Sequence, residues 1–229
     1  MYAMYAPSQM LQTYAPIQSG ERFANQNSKM LKVSMGPDVL ARTGAMVAYE
    51  GMMQFAYDHP DMGKYMQQWA TGESVPLMRV YGQGNLFLAH GGADIVCFQL
   101  NNESICVNNT NVLAFDAHLQ WSIDVVRGAA ALASGGLFNV VIQGSGWVAI
   151  TSKGPPIVLR AEQAPTWVDF DAVIAWSHNL QTNVKTSIGL KNLIGKGSGE
   201  AFQLGFNGQG YVIVQPCEPL PTPAAGAPA

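Results

Sequence analysis

Charged residues are scarce in this sequence, and their scarcity excludes whole classes of function. Only 12% of its 229 residues are charged, and 12 basic and 15 acidic side chains give a formal net charge of −3. A protein that neutralises many phosphates needs clustered Lys and Arg, so we do not expect a nucleic-acid partner. Hydrophobic residues make up 48% of the chain. That share is enough to bury a sizeable core, and it excludes a largely disordered protein.

Cysteines and long apolar runs are also lacking. Cys97, Cys106 and Cys217 show no Cys-x-x-Cys spacing, so we expect free apolar thiols and neither a disulfide framework nor a zinc site. The longest weakly polar stretch, Ala129 to Ile142, is interrupted and falls short of the roughly 18 apolar residues of a membrane span. No basic signal or transit sequence precedes Arg22. These absences predict a cytoplasmic protein without membrane insertion.

The two ends differ in composition from the rest of the chain. Residues 1–20 are rich in Tyr, Met, Ala and Gln, which favours a flexible N-terminal arm or an extended segment laid on a neighbour. Residues 217–229 are rich in Pro and Ala and are predicted to form a disordered tail. The part between them, 21–216, is expected to form a single domain.

Two sequence patterns occur three times each within that domain. One is a small residue followed four places later by an aromatic residue, at Ala45/Tyr49, Ala117/Trp121 and Ala172/Trp176. The other is Gly-x-Gly between apolar, strand-like runs, at Gly82/Gly84, Gly144/Gly146 and Gly208/Gly210. Glycine supplies positive φ in tight hairpin turns, so these six glycines are predicted to be structural turns, and the aromatic residues are predicted to be buried in equivalent places.

Their alternation predicts three β-repeats, at about 29–90, 94–160 and 166–215. Each repeat alone would leave strand edges unpaired and bury too little surface. We therefore expect one all-β domain, a pseudo-threefold sandwich or barrel with short helical inserts.

The first insert is the most distinctive of the three. Its Met62, Tyr65, Met66 and Trp69 have the spacing of one apolar stripe on a helix. Two interpretations stay open: the stripe caps an open end of the β-core, or it is an interface with another subunit.

Motifs that carry chemistry are missing. The Gly-x-Gly pairs lack the third glycine and the following helix of a dinucleotide-binding loop, and there is no Gly-x-Ser-x-Gly or His-Glu-x-x-His. The four histidines are isolated in sequence. Asp116 and Asp171 are expected to bond to turn backbone rather than to act as acid and base. We therefore expect no enzyme, no cofactor, no metal site and no catalytic residue.

Three segments of the chain resemble one known family. They are Gly44-Ala-Met-Val-Ala-Tyr49, Phe170-Asp-Ala-Val-Ile-Ala-Trp176, and Ser198-Gly-Glu-Ala-Phe202 running on to Gln215. Together they resemble the "altered inheritance of mitochondria twenty-four" family over about 29–216. The resemblance implies a fold like that of the tryptophan-RNA-binding attenuation protein, with three β-repeats in one chain, and no established catalytic residues. Its mitochondrial members are associated with inner-membrane organisation, and the missing transit peptide favours a bacterial member.

Two classes of function follow from these observations. The first is a non-enzymatic binding or scaffold protein that forms a homo-oligomer, with a protein partner that the sequence does not identify. The alternative, suggested by the fold resemblance alone, is RNA or small-ligand binding, and the net charge of −3 weighs against RNA.

Overall fold

The computed structural model describes residues 7–57, 76–126, 138–186 and 202–216. Within them the chain is all-β, as the sequence predicts. The helical elements are α1 (Pro7–Thr13) and a 3₁₀ turn (Asn109–Asn111). The strands are β1 (Phe23–Asn27), β2 (Met30–Met35), β3 (Val39–Arg42), β4 (Met46–Tyr57), β5 (Leu77–Leu88), β6 (Asp94–Asn108), β7 (Val112–Asp116), β8 (Gln120–Val125), β9 (Phe138–Ser152), β10 (Ile157–Arg160), β11 (Thr166–Asp169), β12 (Val173–Ser177), β13 (Gln181–Thr186), β14 (Phe202–Asn207) and β15 (Tyr211–Val214).

Every strand pairing in this part of the chain is antiparallel. A twelve-stranded sheet runs in the order β1-β2-β5-β3-β7-β9-β6-β12-β15-β10, with β4 on β5 and β8 on β9 beside this path. A three-stranded sheet runs β11-β14-β13. The longest pairings are the β4–β5 hairpin and the antiparallel pair β6–β9, and their strands are rich in the β-branched and aromatic residues that fit a half-buried sheet.

The core consists of three clusters of buried side chains. One contains Phe115 and Ile142, a second contains Phe23 and Leu86, and a third contains Trp176 and Phe206. The third cluster contains side chains from both sheets and packs the three-stranded sheet against the twelve-stranded one.

The glycines of the first two Gly-x-Gly motifs are not turns. Gly82 and Gly84 lie inside β5, and Gly144 and Gly146 lie inside β9. Gly82, Gly84 and Gly144 have positive φ, and the two strands continue through them. A Cβ at Gly84 would overlap the carbonyl oxygen of Glu50 on the paired strand β4. The prediction of hairpin turns is therefore wrong here, because the glycines serve close backbone approach within a strand.

Gly208 and Gly210 do lie between two strands, but those strands do not form a hairpin. The segment that contains the two glycines connects β14, in the three-stranded sheet, with β15, in the twelve-stranded sheet. Their φ angles are +121° and +153°, and a Cβ at Gly210 would lie 2.7 Å from the Cβ of Ser177. The hairpin prediction is wrong here too, because the chain passes from one sheet to the other.

The predicted set of equivalent aromatic residues also changes. Tyr49, Phe115 and Trp176 each pair with the residue two places after a Gly-x-Gly motif. Trp121 lies six residues further along the chain, in β8, and packs against Phe115 with ring centroids 6.1 Å apart. Trp176 is buried as predicted, whereas Trp121 is only partly buried and Tyr49 is exposed. The alignment of Phe115-Asp-Ala with Phe170-Asp-Ala is therefore wrong. Phe115, and not Trp121, is the structural equivalent of Trp176.

The described part of the N-terminal segment contacts the first two strands. Pro7–Thr13 form an exposed helix, and the following residues lie against the first two strands. Gln26 accepts a hydrogen bond from the Ile17 N–H (2.8 Å) and donates one to the Ala15 carbonyl (3.1 Å), and the Lys32 ammonium donates to the Ile17 carbonyl (2.8 Å). These bonds hold the segment beside β1 and β2.

Several predicted features lie outside the described residues. They are the apolar stripe of Met62, Tyr65, Met66 and Trp69, the two shorter inserts near 128–134 and 187–196, and the tail 217–229. The repeat boundaries and the single domain over 21–216 stay predictions.

Candidate functional site

Strand β4 exposes an unusual number of apolar side chains. We define the exposed β4 segment as Met46, Val47, Tyr49 and Met52, whose exposed fractions are 37%, 51%, 47% and 85%. Both faces of the strand contribute, because Tyr49 and Met52 are three places apart in a regularly paired stretch and successive residues of a strand point to opposite faces. Large apolar side chains exposed together on one strand are typical of an interaction site.

The cause of this exposure is a missing neighbour. In the part of the chain that the structure describes, β4 pairs with β5 alone. By contrast β7 lies between β3 and β9, and β12 lies between β6 and β15. The hydrophobic sequence of β4 is thus left uncovered by its position at the side of the sheet.

Residues of β4 and β5 line a groove beside this segment. Its volume is about 520 Å³, and it is lined by Tyr49, Gly51, Met52, Met53, Gln54, Tyr81, Gly82 and Gln83. Tyr81 donates a hydrogen bond of 2.9 Å to the Gln54 side-chain oxygen, which fixes one wall. Thioether, phenol and amide groups dominate the lining. Methionine adapts to irregular apolar partners, and methionine and tyrosine are both enriched at protein interfaces.

A second exposed aromatic side chain lies on β11. Trp167 is 44% exposed, and the Lys185 ammonium lies 5.3 Å from the centroid of its ring. A Cβ at Gly205, on the paired strand β14, would lie 2.6 Å from the Trp167 ring. The glycine therefore lets the indole lie flat across the neighbouring strand.

Cys106 and His178 form the arrangement that most resembles a catalytic pair. The Cys106 sulfur lies 3.1 Å from Nδ1 of His178. Burial, with a smaller effect from the charge of Asp124, raises the pKa of the Cys106 thiol to about 12. A nucleophilic cysteine needs a lowered pKa and some exposure, whereas this thiol is buried and stays protonated at neutral pH.

Asp116 is the most buried of the described acidic side chains and is used within the fold. It forms an ion pair with Arg22 and accepts a hydrogen bond of 2.8 Å from the Trp147 N–H. Asp171 is exposed and lies in a turn, where its own N–H donates to Asp169 (2.8 Å). The predicted equivalence of Asp116 and Asp171 is therefore wrong, since one ends β7 and the other precedes β12.

The site differs from the one that the sequence favoured. Among the described residues, no group of three His, Cys, Asp or Glu side chains could hold a metal ion. Four of the six predicted glycines lie within strands, and one of them, Gly82, lines the groove. Sequence analysis missed Met52 and Trp167 as surface groups, although a run of apolar residues without polar alternation in β4 was visible. No helix in the described ranges is long and apolar enough to cross a bilayer.

Comparison with known proteins places the chain in a family of uncharacterised function. The chain is 26% identical over 159 residues to an uncharacterised protein of Streptococcus pyogenes serotype M6, a match that covers 67% of this chain and 63% of that protein. It is similar in fold to the crystal structure of a Streptococcus pyogenes protein, with a TM-score of 0.67 and 22% identity, covering 85% of this chain and 92% of the other. The family model described as "Mitochondrial biogenesis AIM24" matches residues 22–217. The chain belongs to this AIM24 family.

Proposed function

We propose that this chain is a non-enzymatic binding or scaffold protein that holds a protein partner in the β4–β5 groove and acts as an oligomer. The observation that carries the proposal is the exposed β4 segment, above all Met52, which is 85% exposed at the edge of a groove of about 520 Å³. Exposed Met and Tyr side chains around a concave apolar surface are typical of adaptable protein-binding sites.

The buried titratable groups support a non-enzymatic role. The Cys106 thiol has a raised pKa, and Asp116 is paired with Arg22 and bonded to backbone. A catalytic acid, base or nucleophile needs a pKa near the working pH and access to a substrate. The Cys106 thiol meets neither condition, and the Asp116 carboxylate is taken up by its contacts with Arg22 and the Trp147 N–H.

The groove is a poor fit for RNA. Its lining residues include Tyr49 and Tyr81, which could stack on bases, but no Lys or Arg. The nearest described charge on β4 is the acidic Glu50, which accepts a hydrogen bond of 2.9 Å from Asn85. Binding of single-stranded RNA needs aromatic and basic groups together, so we favour a polypeptide.

The experiment is native mass spectrometry of the protein isolated from its own host. The wild type should retain a polypeptide, and Met52→Glu should lower its occupancy at least about tenfold, because a carboxylate in the groove loses water without gaining a partner. Val158→Glu is the matched control, since Val158 is an exposed apolar strand residue on β10 that does not line the groove. Equal retention by Met52→Glu, or retention of RNA or a small molecule in place of a polypeptide, would contradict the proposal.

A further inference from the structure

The three Gly-x-Gly motifs provide a common reference for the strands around them. Val39, Ile105 and Thr166 each pair with the residue two places before the first glycine of a motif. Tyr49, Phe115 and Trp176 each pair with the residue two places after the second glycine. β3, the second half of β6 and β11 therefore occupy one kind of position. The first half of β4, strand β7 and strand β12 occupy the other kind of position.

Strands of these two kinds pair with each other twice inside the chain. Leu40 of β3 lies opposite Phe115 of β7, and Cys106 of β6 lies opposite Trp176 of β12. Both pairings are antiparallel. All four side chains are buried, with exposed fractions between 0% and 4%. This contact is what links one set of strands to the next.

One strand of each kind is left over. β11 and β4 each have a single strand partner among the described residues, β14 and β5 respectively. Trp167 holds the position of Leu40 and Cys106 but is 44% exposed, and Tyr49 holds the position of Phe115 but is 47% exposed. The two exposed aromatic residues are the ones that a third pairing of the same kind would bring together.

We propose that β11 of one copy pairs in antiparallel fashion with β4 of a second copy, with Trp167 opposite Tyr49. The same register places Thr166 opposite Glu50 and Val168 opposite Ala48. This inference rests on the oligomeric scaffold proposed above, and it names both the partner and the contact. Unpaired strand edges are templates for such pairing, and a cross-strand aromatic pair adds to its stability.

The occupant is a second copy because each chain carries both halves of the contact. The chain already uses the same register twice, so the shapes and backbone groups of the two edges are complementary. β4 belongs to the twelve-stranded sheet and β11 to the three-stranded sheet, and within the described residues they do not pair with each other. A contact between two different edges is head-to-tail, so it builds a ring or extends a chain of subunits.

Disulfide trapping tests the register directly. Tyr49→Cys and Trp167→Cys are made in separate chains, each with Cys97, Cys106 and Cys217 replaced by Ala, and are then mixed under mild oxidation. Directly opposite strand residues have Cβ atoms about 4.5–5.5 Å apart, so we expect a cross-linked species of twice the 24.6 kDa of one chain. Tyr49→Cys mixed with Val158→Cys is the matched control and should stay uncross-linked.

Light scattering supplies the second measurement. The wild type should exceed the mass of one chain, and Tyr49→Lys and Trp167→Lys should each weaken association at least about tenfold, because each would bury an unpaired charge at the contact. Val158→Lys should associate like the wild type. Hydrogen exchange of the wild type should show protection of the backbone amides of 46–50 and 166–168 that rises with protein concentration. This measurement needs no variant, so it still tests the contact if a substituted protein does not fold.

Three results would overturn the inference. They are a wild type that stays monomeric at high micromolar concentration, exchange protection that does not depend on concentration, and a disulfide that closes within one chain when both substitutions are in the same molecule. The groove proposed above as a protein-binding site is tested separately. Its measurement is the loss of a bound polypeptide in Met52→Glu, and not the mass of the assembled subunits.

Discussion

Strand β4 and strand β12 have similar sequences and opposite environments. Met46-Val-Ala-Tyr49 and Val173-Ile-Ala-Trp176 hold the same place relative to a Gly-x-Gly motif, yet the first is largely exposed and the second is buried. The difference lies in the neighbours, since among the described residues β12 has a strand on each side and β4 has one on a single side. Burial is therefore set here by the strand that comes alongside, and not by the hydrophobicity of the strand itself.

The largest expected effect comes from truncating the aromatic residue in the two environments. Trp176→Ala should lower the free energy of unfolding by about 3–5 kcal/mol, because it empties a space in the core next to Phe206. Tyr49→Ala should lower it by less than about 1 kcal/mol in the monomer, since half of that side chain is already in water. Urea denaturation at low micromolar concentration measures both values. Equal losses of unfolding free energy in the two variants would contradict the difference in burial between Trp176 and Tyr49.

The glycines give the next test, because they differ in what surrounds them. Gly84→Ala should destabilise the protein by about 3 kcal/mol or more, since the new methyl group meets the Glu50 carbonyl at a φ of +127°. Gly44→Ala is the matched control, with a φ of +82° and no atom within 4 Å of the added Cβ. It should cost only about 1 kcal/mol of backbone strain. The melting temperature should fall more for Gly84→Ala than for Gly44→Ala. The reverse order would mean that the backbones of β4 and β5 do not approach each other closely at Gly84.

A smaller effect is expected from the buried thiol of Cys106, next to Trp176 in the pairing of β6 with β12. Burial raises its pKa from 9.0 to about 12 in the folded state, so the folded protein favours the neutral thiol. That contribution is complete below pH 9 and is lost as the pH rises from 9 towards 12. Between pH 7 and pH 10 the wild type should lose about 1 kcal/mol that Cys106→Ala does not lose. Parallel pH profiles of the two proteins would contradict the burial of this thiol.

The sequence was sufficient to predict the fold class and the family, because both depend on short local patterns. Alternating apolar residues and glycine motifs mark strands wherever they occur, and the motif around Gly208 is specific. The pairing of strands depends on contacts between distant segments, so Gly82 and Gly144 were mistaken for turns. The exposure of Tyr49 could not be predicted for the same reason: its sequence context matches that of buried Trp176, and only the sheet order shows that β4 pairs with β5 alone in the described part of the chain.

The smallest effect concerns the side chain that follows the aromatic residue in each copy. Ser177 accepts a hydrogen bond of 3.1 Å from the Tyr211 N–H. At the matching place in β4, Glu50 accepts one of 2.9 Å from the Asn85 amide group. The serine is buried and the glutamate is exposed. Ser177→Ala should therefore cost about 1 kcal/mol, because the Tyr211 N–H is left without its partner, whereas Glu50→Ala should cost less than about 0.5 kcal/mol, because water replaces it. Urea titrations of both single variants measure the difference. A loss at Glu50 as large as that at Ser177 in a monomeric sample would show that the β4 edge is already covered within one chain.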